Sequence, residues 1–106
     1  MASKSKDKGN RFEYEVRDRF MAEGIDCKRA YASDGRALGY SEKVDLLAVS
    51  NDVHYTIQCK VRKVLSSFFK PVDDVYTQVI KQDRDVTYAV IRLDDLITLI
   101  KGNSNK

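Results

Sequence analysis

Histidine and proline occur once each in the 106 residues and cysteine twice. No apolar run approaches the roughly 20 residues of a membrane span. One histidine, with Cys27 and Cys59 far apart and no CxxC pair, leaves neither a zinc-ligand spacing nor a disulfide framework. Both cysteines are expected as small buried or half-buried thiols. The opening "MASKSKDKGN" is charged and lacks the apolar segment of a signal peptide, so an intracellular protein with no membrane association is expected. A large excess of one charge is missing too, since 19 basic side chains face 16 acidic ones for a net charge of +3. Any nucleic-acid surface must therefore come from clustering.

What is present suffices for one core. With 42% hydrophobic residues, the chain is long enough for one compact domain spanning 1–106 and too short for two ordinary ones. Residues 1–8 and 102–106 are polar and expected to be flexible. No internal repeat is visible. From about Asp7, Phe12, Val16 and Phe20 recur every four residues and Gly24 follows, which predicts an amphipathic helix with a glycine cap. "IDCKRAYA" reads as a strand and "SDGRALGYSE" as a flexible loop. "VDLLAVS" and "VHYTIQCKV" flank Asn51-Asp52, a pair tolerant of positive φ, and predict a hairpin with a two-residue turn. Pro71 is placed at the start of a second helix carrying Val72, Val75, Val79 and Ile80. "VTYAVIRL" is expected as a central strand, and "DDLITLIKG" as a last helix capped by Asp94 or Asp95. The order is αβββαβα, an α/β chain with a mixed sheet.

A turn at Asn51-Asp52 pairs residues whose numbers sum to 103, which sets Asp45 opposite Gln58. Strand alternation adds Lys60 to the same face, while Val44, Leu46 and Ala48 line up with Cys59, Ile57 and Tyr55 on the core face. Asp45, Gln58 and Lys60 together can hold a hard cation through oxygen and set an ammonium beside a phosphate. In most proteins three such residues on a hairpin are simply solvated. His54 shares this face and is read as structural. Phe68 and Phe69 are read as core or dimer residues, and Tyr31 and Tyr40 as candidates for stacking on unpaired bases.

The segments "KGNRFEYEV" and "KVDLLAVSNDVHYTIQCKVRK" resemble the PD-(D/E)XK nuclease superfamily, and within it most closely the archaeal and phage Holliday junction resolvases. Lys8-Gly9 is followed by Glu13 at the family's offset, Val44-Asp45 matches its strand aspartate, and Gln58-Cys59-Lys60 stands where the family has Glu-x-Lys. The resemblance covers residues 8 to about 63. It implies a restriction-endonuclease-like αβββαβ core with a mixed central sheet. Three departures stand out: Gln58 itself, a longer loop from Ser33 to Val44, and a short region after the last strand, where the family builds its dimer.

The resemblance further implies a metal-dependent endonuclease. Glu13 and Asp45 would be ligands of Mg²⁺, with Mn²⁺ as a substitute, Gln58 a neutral oxygen ligand, and Lys60 the electrostatic partner of the attacking water. The substrate would be branched or nicked DNA, cut by a homodimer. Lys8, Arg11, Lys28, Arg29, Ser33, Arg36, Arg62 and Lys63, with Lys4 and Lys6, are the candidate phosphate contacts. Two other readings stay open: a nicking endonuclease of a phage or mobile element, and a DNA-binding or adaptor protein that kept the fold and lost or weakened catalysis.

Overall fold

The computed structural model describes residues 4–104, with the side chains of Ser5, Ser33, Asn103 and Ser104 outside the description. The expectation of flexible ends therefore falls partly outside it, at 1–3 and 105–106. The chain divides into two compact units, the first made of residues up to Val61 together with those from Ile100, the second of Arg62–Leu99.

In the first unit, α1 (Lys4–Ala22) starts earlier than its apolar stripe requires. Its inward face is Glu13, Val16 and Phe20, while Phe12 is only half-buried. The helix stops at Gly24, whose φ of 78° is left-handed. There the amide of Ile25 donates back to the carbonyl of Phe20 at 3.1 Å and that of Gly24 to Met21 at 3.0 Å, which satisfies the last carbonyls of the helix. Next come β1 (Asp26–Arg29), β2 (Leu46–Ser50) and β3 (Val53–Ile57), an antiparallel sheet in the order β1-β2-β3. Leu46 pairs with Ile57 and Ala48 with Tyr55, so the sum of 103 holds. The turn forms as expected, because Asn51 and Asp52 both take left-handed φ, 51° and 64°. α1 packs on β1 and β2, and Val16, Phe20, Ile25, Cys27, Leu46 and Ala48 are buried core residues.

Three expectations for this unit need correction. β2 is not open on one face: Leu46, Leu47 and Ala48 are all buried, as suits a middle strand with a continuous apolar run. β3 ends at Ile57, so Gln58 and Lys60 follow the strand instead of lying in it. The loop after β1 is ordered into two short 3₁₀ turns, Tyr31–Ser33 and Gly35–Leu38. Gly35 is required there, since a Cβ would fall 2.2 Å from the Ser41 carbonyl oxygen and 2.6 Å from Val44 Cβ.

In the second unit, the helix expected after Pro71 is absent. Residues 73–74 form a turn and β4 (Thr77–Lys81) follows, paired antiparallel with β5 (Thr87–Ile91) as a separate two-stranded sheet. "VTYAVIRL" is thus an edge strand rather than a central one, and the sheets are antiparallel rather than mixed. β-branched residues in "TQVIK" favour the extended chain over the helix that their spacing also permits. The loop before β4 is held by Arg92, which donates to the carbonyls of Pro71, Val72 and Val75, each at 3.0 Å. Gln78 donates to the Phe68 carbonyl. Phe68 and Phe69 are exposed and meet edge to face, so neither is core. α2 (Leu93–Ser104) starts at Leu93 with Asp94 and Asp95 inside its first turn, favourable to the helix dipole but not capping it.

Candidate active site

The site is built where α1 faces the lower end of the hairpin. Glu13 stands on the buried face of α1 one turn before Val16, and only 7% of it is exposed. Asp45 immediately precedes β2 and is 8% exposed. Its backbone is locked on both sides, with its amide donating to Ile57 at 2.9 Å and its carbonyl accepting from Ala30 at 2.8 Å. Its side chain is locked as well, because Oδ2 accepts the Cys59 N–H at 2.8 Å. Asp45 thus grips Ile57 and Cys59, the residues on either side of Gln58, while the paired register itself ends one step earlier, at Leu46 and Ile57. Gln58 and Lys60 are exposed, while Cys59 between them turns inward.

Burial pushes the Asp45 carboxyl above its ordinary value of 3.8, opposed by the Cys59 N–H, and the neighbouring Glu13 charge adds to the rise while Arg29 counters it. The two carboxylates are therefore close enough to feel one another. Oδ1 of Asp45 accepts no hydrogen bond among the described residues. No buried side-chain oxygen or nitrogen there lacks a partner, so Oδ1 reaches solvent. Burial also lifts both thiols, Cys27 to about 11 and Cys59 to about 12, the latter helped by Asp45 and Glu13. Both are free cysteines and stay protonated, and Cys59 is an inert neighbour of the two carboxylates.

Arg29 takes a role other than the one expected, and three further participants were not anticipated. Arg29, expected to grip phosphate, is turned inward: its Nε donates to Glu13 Oε1 at 2.8 Å and its Nη2 to Asn10 Oδ1 at 3.0 Å. Its guanidinium also lies 4.9 Å from the centre of the Tyr14 ring. Glu13 and Tyr14 lie three and four residues after Asn10, a helical spacing that is the signal that could have revealed Asn10 and Tyr14. The third is the Cys59 amide, and a backbone donor leaves no mark in residue type.

A hard cation fits this donor set in kind: two carboxylates, one with an accessible oxygen, and the amide of Gln58 just past the end of β3. Among the described residues no group of three His, Cys, Asp or Glu is placed to hold a metal ion.

Of the candidate phosphate contacts, Lys4, Lys8 and Arg11 line a shallow cleft on the first turns of α1 with Asn10 and Tyr14. Lys28 and Arg29 line a larger one of about 980 Å³ with Tyr14, Arg17 and the exposed Tyr31. Lys6 is exposed on α1. Arg36 is engaged with Asp34, which it holds below its ordinary value and which accepts its amide as well. The side chain of Ser33 lies outside the described residues. Arg62 and Lys63 are exposed and belong to the second unit. Tyr40 donates to or accepts from His54 Nδ1 at 2.7 Å, a surface pair.

The model of one protein family, archaeal Holliday junction resolvase (Hjc), matches residues 4–72. The chain belongs to this family. The resolvase match takes in α1, the three-stranded sheet, Glu13, Asp45, Gln58 and Lys60, and it stops before β4. Neither a curated protein nor a solved structure matches the chain. No helix among the described residues is long and apolar enough to cross a membrane.

Proposed function

We propose that this resolvase-family chain is a metal-dependent endonuclease that cuts four-way DNA junctions as a homodimer. The observation that carries the reading is the pairing of two buried carboxylates, Glu13 and Asp45, from elements distant in sequence, next to a solvent-accessible oxygen. Glu13 and Asp45 would hold Mg²⁺, with Gln58 lending its amide oxygen. When bound, the ion supplies Lewis-acid polarisation of the phosphate and of an attacking water. The Cys59 N–H fixes the Asp45 carboxylate before any ligand arrives, so no reorganisation is needed there. Lys60 extends from the exposed end of the hairpin to meet the negative charge that grows on the phosphate. Lys4, Lys8, Arg11 and Lys28 grip the backbone without reading bases, so affinity falls steeply with salt. Two copies related by a two-fold axis suit symmetric cleavage.

Gln58 keeps an oxygen where the family resemblance has a carboxylate but adds no charge, so a high Mg²⁺ requirement or a preference for Mn²⁺ is expected. The test is incubation of labelled four-way junction and linear duplex with Mg²⁺, Mn²⁺ or EDTA. Cleavage of the junction alone, abolished by EDTA, supports the reading. Gln58→Glu should preserve or raise cleavage and lower the Mg²⁺ needed for half-maximal rate by about tenfold, the scale of one added charge-assisted ligand. Abolition of an existing activity by Gln58→Glu would show that Gln58 has another role. One observation favours a second reading, binding without cleavage: Glu13 is occupied by Arg29. Junction binding in EDTA with no cut under either ion would select it.

A further inference from the structure

Arg29 is a part-buried charge that the mechanism above leaves idle. Its guanidinium meets α1 at Asn10, Glu13 and Tyr14, which lie at spacings of three and four and so share one helix face. The Arg29 side chain is 16% exposed and that of Glu13 9%, so water screens the pair little. Glu13 and Asp45 contribute two negative charges, Arg29 returns one, and Gln58 contributes none. A divalent cation added to that cluster would leave a partly buried excess of positive charge. Turning the guanidinium away would leave the cluster neutral. The cleft beside β1, which Arg29 already lines together with Arg17 and Lys28, gives it a place to go.

We propose that Arg29 is a positioning residue that holds and neutralises Glu13 in the cation-free protein and competes with the divalent cation for that carboxylate. Cation uptake then moves the guanidinium off Glu13. The inference rests on the metal-dependent reading above. It also states what Gln58 changes: with a third carboxylate the cluster would be neutral with both cation and Arg29 in place, and no displacement would be needed.

The experiment is a Mg²⁺ titration followed two ways, by calorimetry on the wild type, Arg29→Gln and Arg29→Lys, and by the arginine Nε–H resonances of the ¹⁵N-labelled wild type. In the absence of Mg²⁺ the Arg29 Nε–H should be protected from solvent exchange, and saturation should remove the protection. Arg29→Gln should bind Mg²⁺ about tenfold more tightly, while Arg29→Lys, which keeps the charge, should stay close to wild type. Saturable Mg²⁺ binding with the Nε–H still protected overturns the proposal, as does a folded Arg29→Gln that binds no more tightly. Failure of every variant to bind Mg²⁺ overturns the metal-dependent reading as well. Should Arg29→Gln not fold, the wild-type resonance decides alone.

Discussion

At the scale of single residues, Asp45 carries two opposed demands, and separate substitutions resolve them. Its Oδ2 satisfies the Cys59 N–H, while its charge is disfavoured by burial. Asp45→Asn keeps an acceptor and removes the charge, so it should abolish cleavage while raising stability by about 1 kcal/mol, the usual yield of relieving a strained functional group. Asp45→Ala strands a part-buried donor and should cost about 1–3 kcal/mol. Thermal or urea unfolding of the two variants checks the pair, and a destabilised Asn variant would mean that the carboxylate is favourably solvated after all. The pH dependence follows with a definite sign. The folded-state value of Asp45 lies above the unfolded one, so the ionised group costs stability at neutral pH. That cost is relieved as pH falls through the raised folded value towards 3.8. Cleavage moves the other way, since a cation needs the carboxylate ionised. The acidic limb of the rate profile should lie above the ordinary aspartate range and shift to lower pH as Mg²⁺ is raised, because proton and cation compete for one group. A limb that ignores Mg²⁺ would place the titrating group elsewhere.

At the scale of elements, the hairpin was legible because a two-residue turn converts chain numbering into pairing, and Asn51-Asp52 tolerates the left-handed geometry the turn needs. With the register known, Leu46 opposite Ile57 and Ala48 opposite Tyr55 followed by arithmetic, whereas at Asp45, just before β2, the amide bonds to Ile57 and the carboxylate to Cys59. α1 was legible from its four-residue period and its glycine stop. The stretch after Pro71 was misread because Val72, Val75 and Val79 fit a helical stripe as well as they fit an extended chain, and only the partner strand β5 decides between them. Arg29 escaped for a related reason: its partners belong to another element, and a basic residue on a strand looks the same whether it faces solvent or a carboxylate. The loop between β1 and β2 looked pliable from its glycines, yet Gly35 is packed against the Ser41 carbonyl. Gly35→Ala should therefore destabilise the protein by about 2 kcal/mol or more, a backbone clash that a flexible neighbour cannot absorb. A melting temperature equal to wild type would mean that the loop gives way.

At the scale of the whole molecule, the two units differ in how much apolar surface they bury. Most of the buried hydrophobic residues belong to the first. The second holds a two-stranded sheet, a loop and the first turns of α2, and it leaves Val64, Phe68, Val72, Val79 and Tyr88 more than half exposed. A hairpin of this kind is marginal alone in water, and such a surface calls for a cover. If the second copy proposed above supplies it, melting temperature should rise by several degrees over a hundredfold range of protein concentration, and sedimentation should give a dimer. A concentration-independent melt of a monomer would rule the homodimer out. The first unit has a different dependence on the rest of the chain. It is closed by residues from Ile100 onward, with Ile100 buried and Lys101 paired to Glu23 at 3.3 Å. During synthesis, Glu13, Arg29, Asp45 and Gln58 are all made well before that closure. The first unit is thus closed only once a segment made after all four of these residues has emerged.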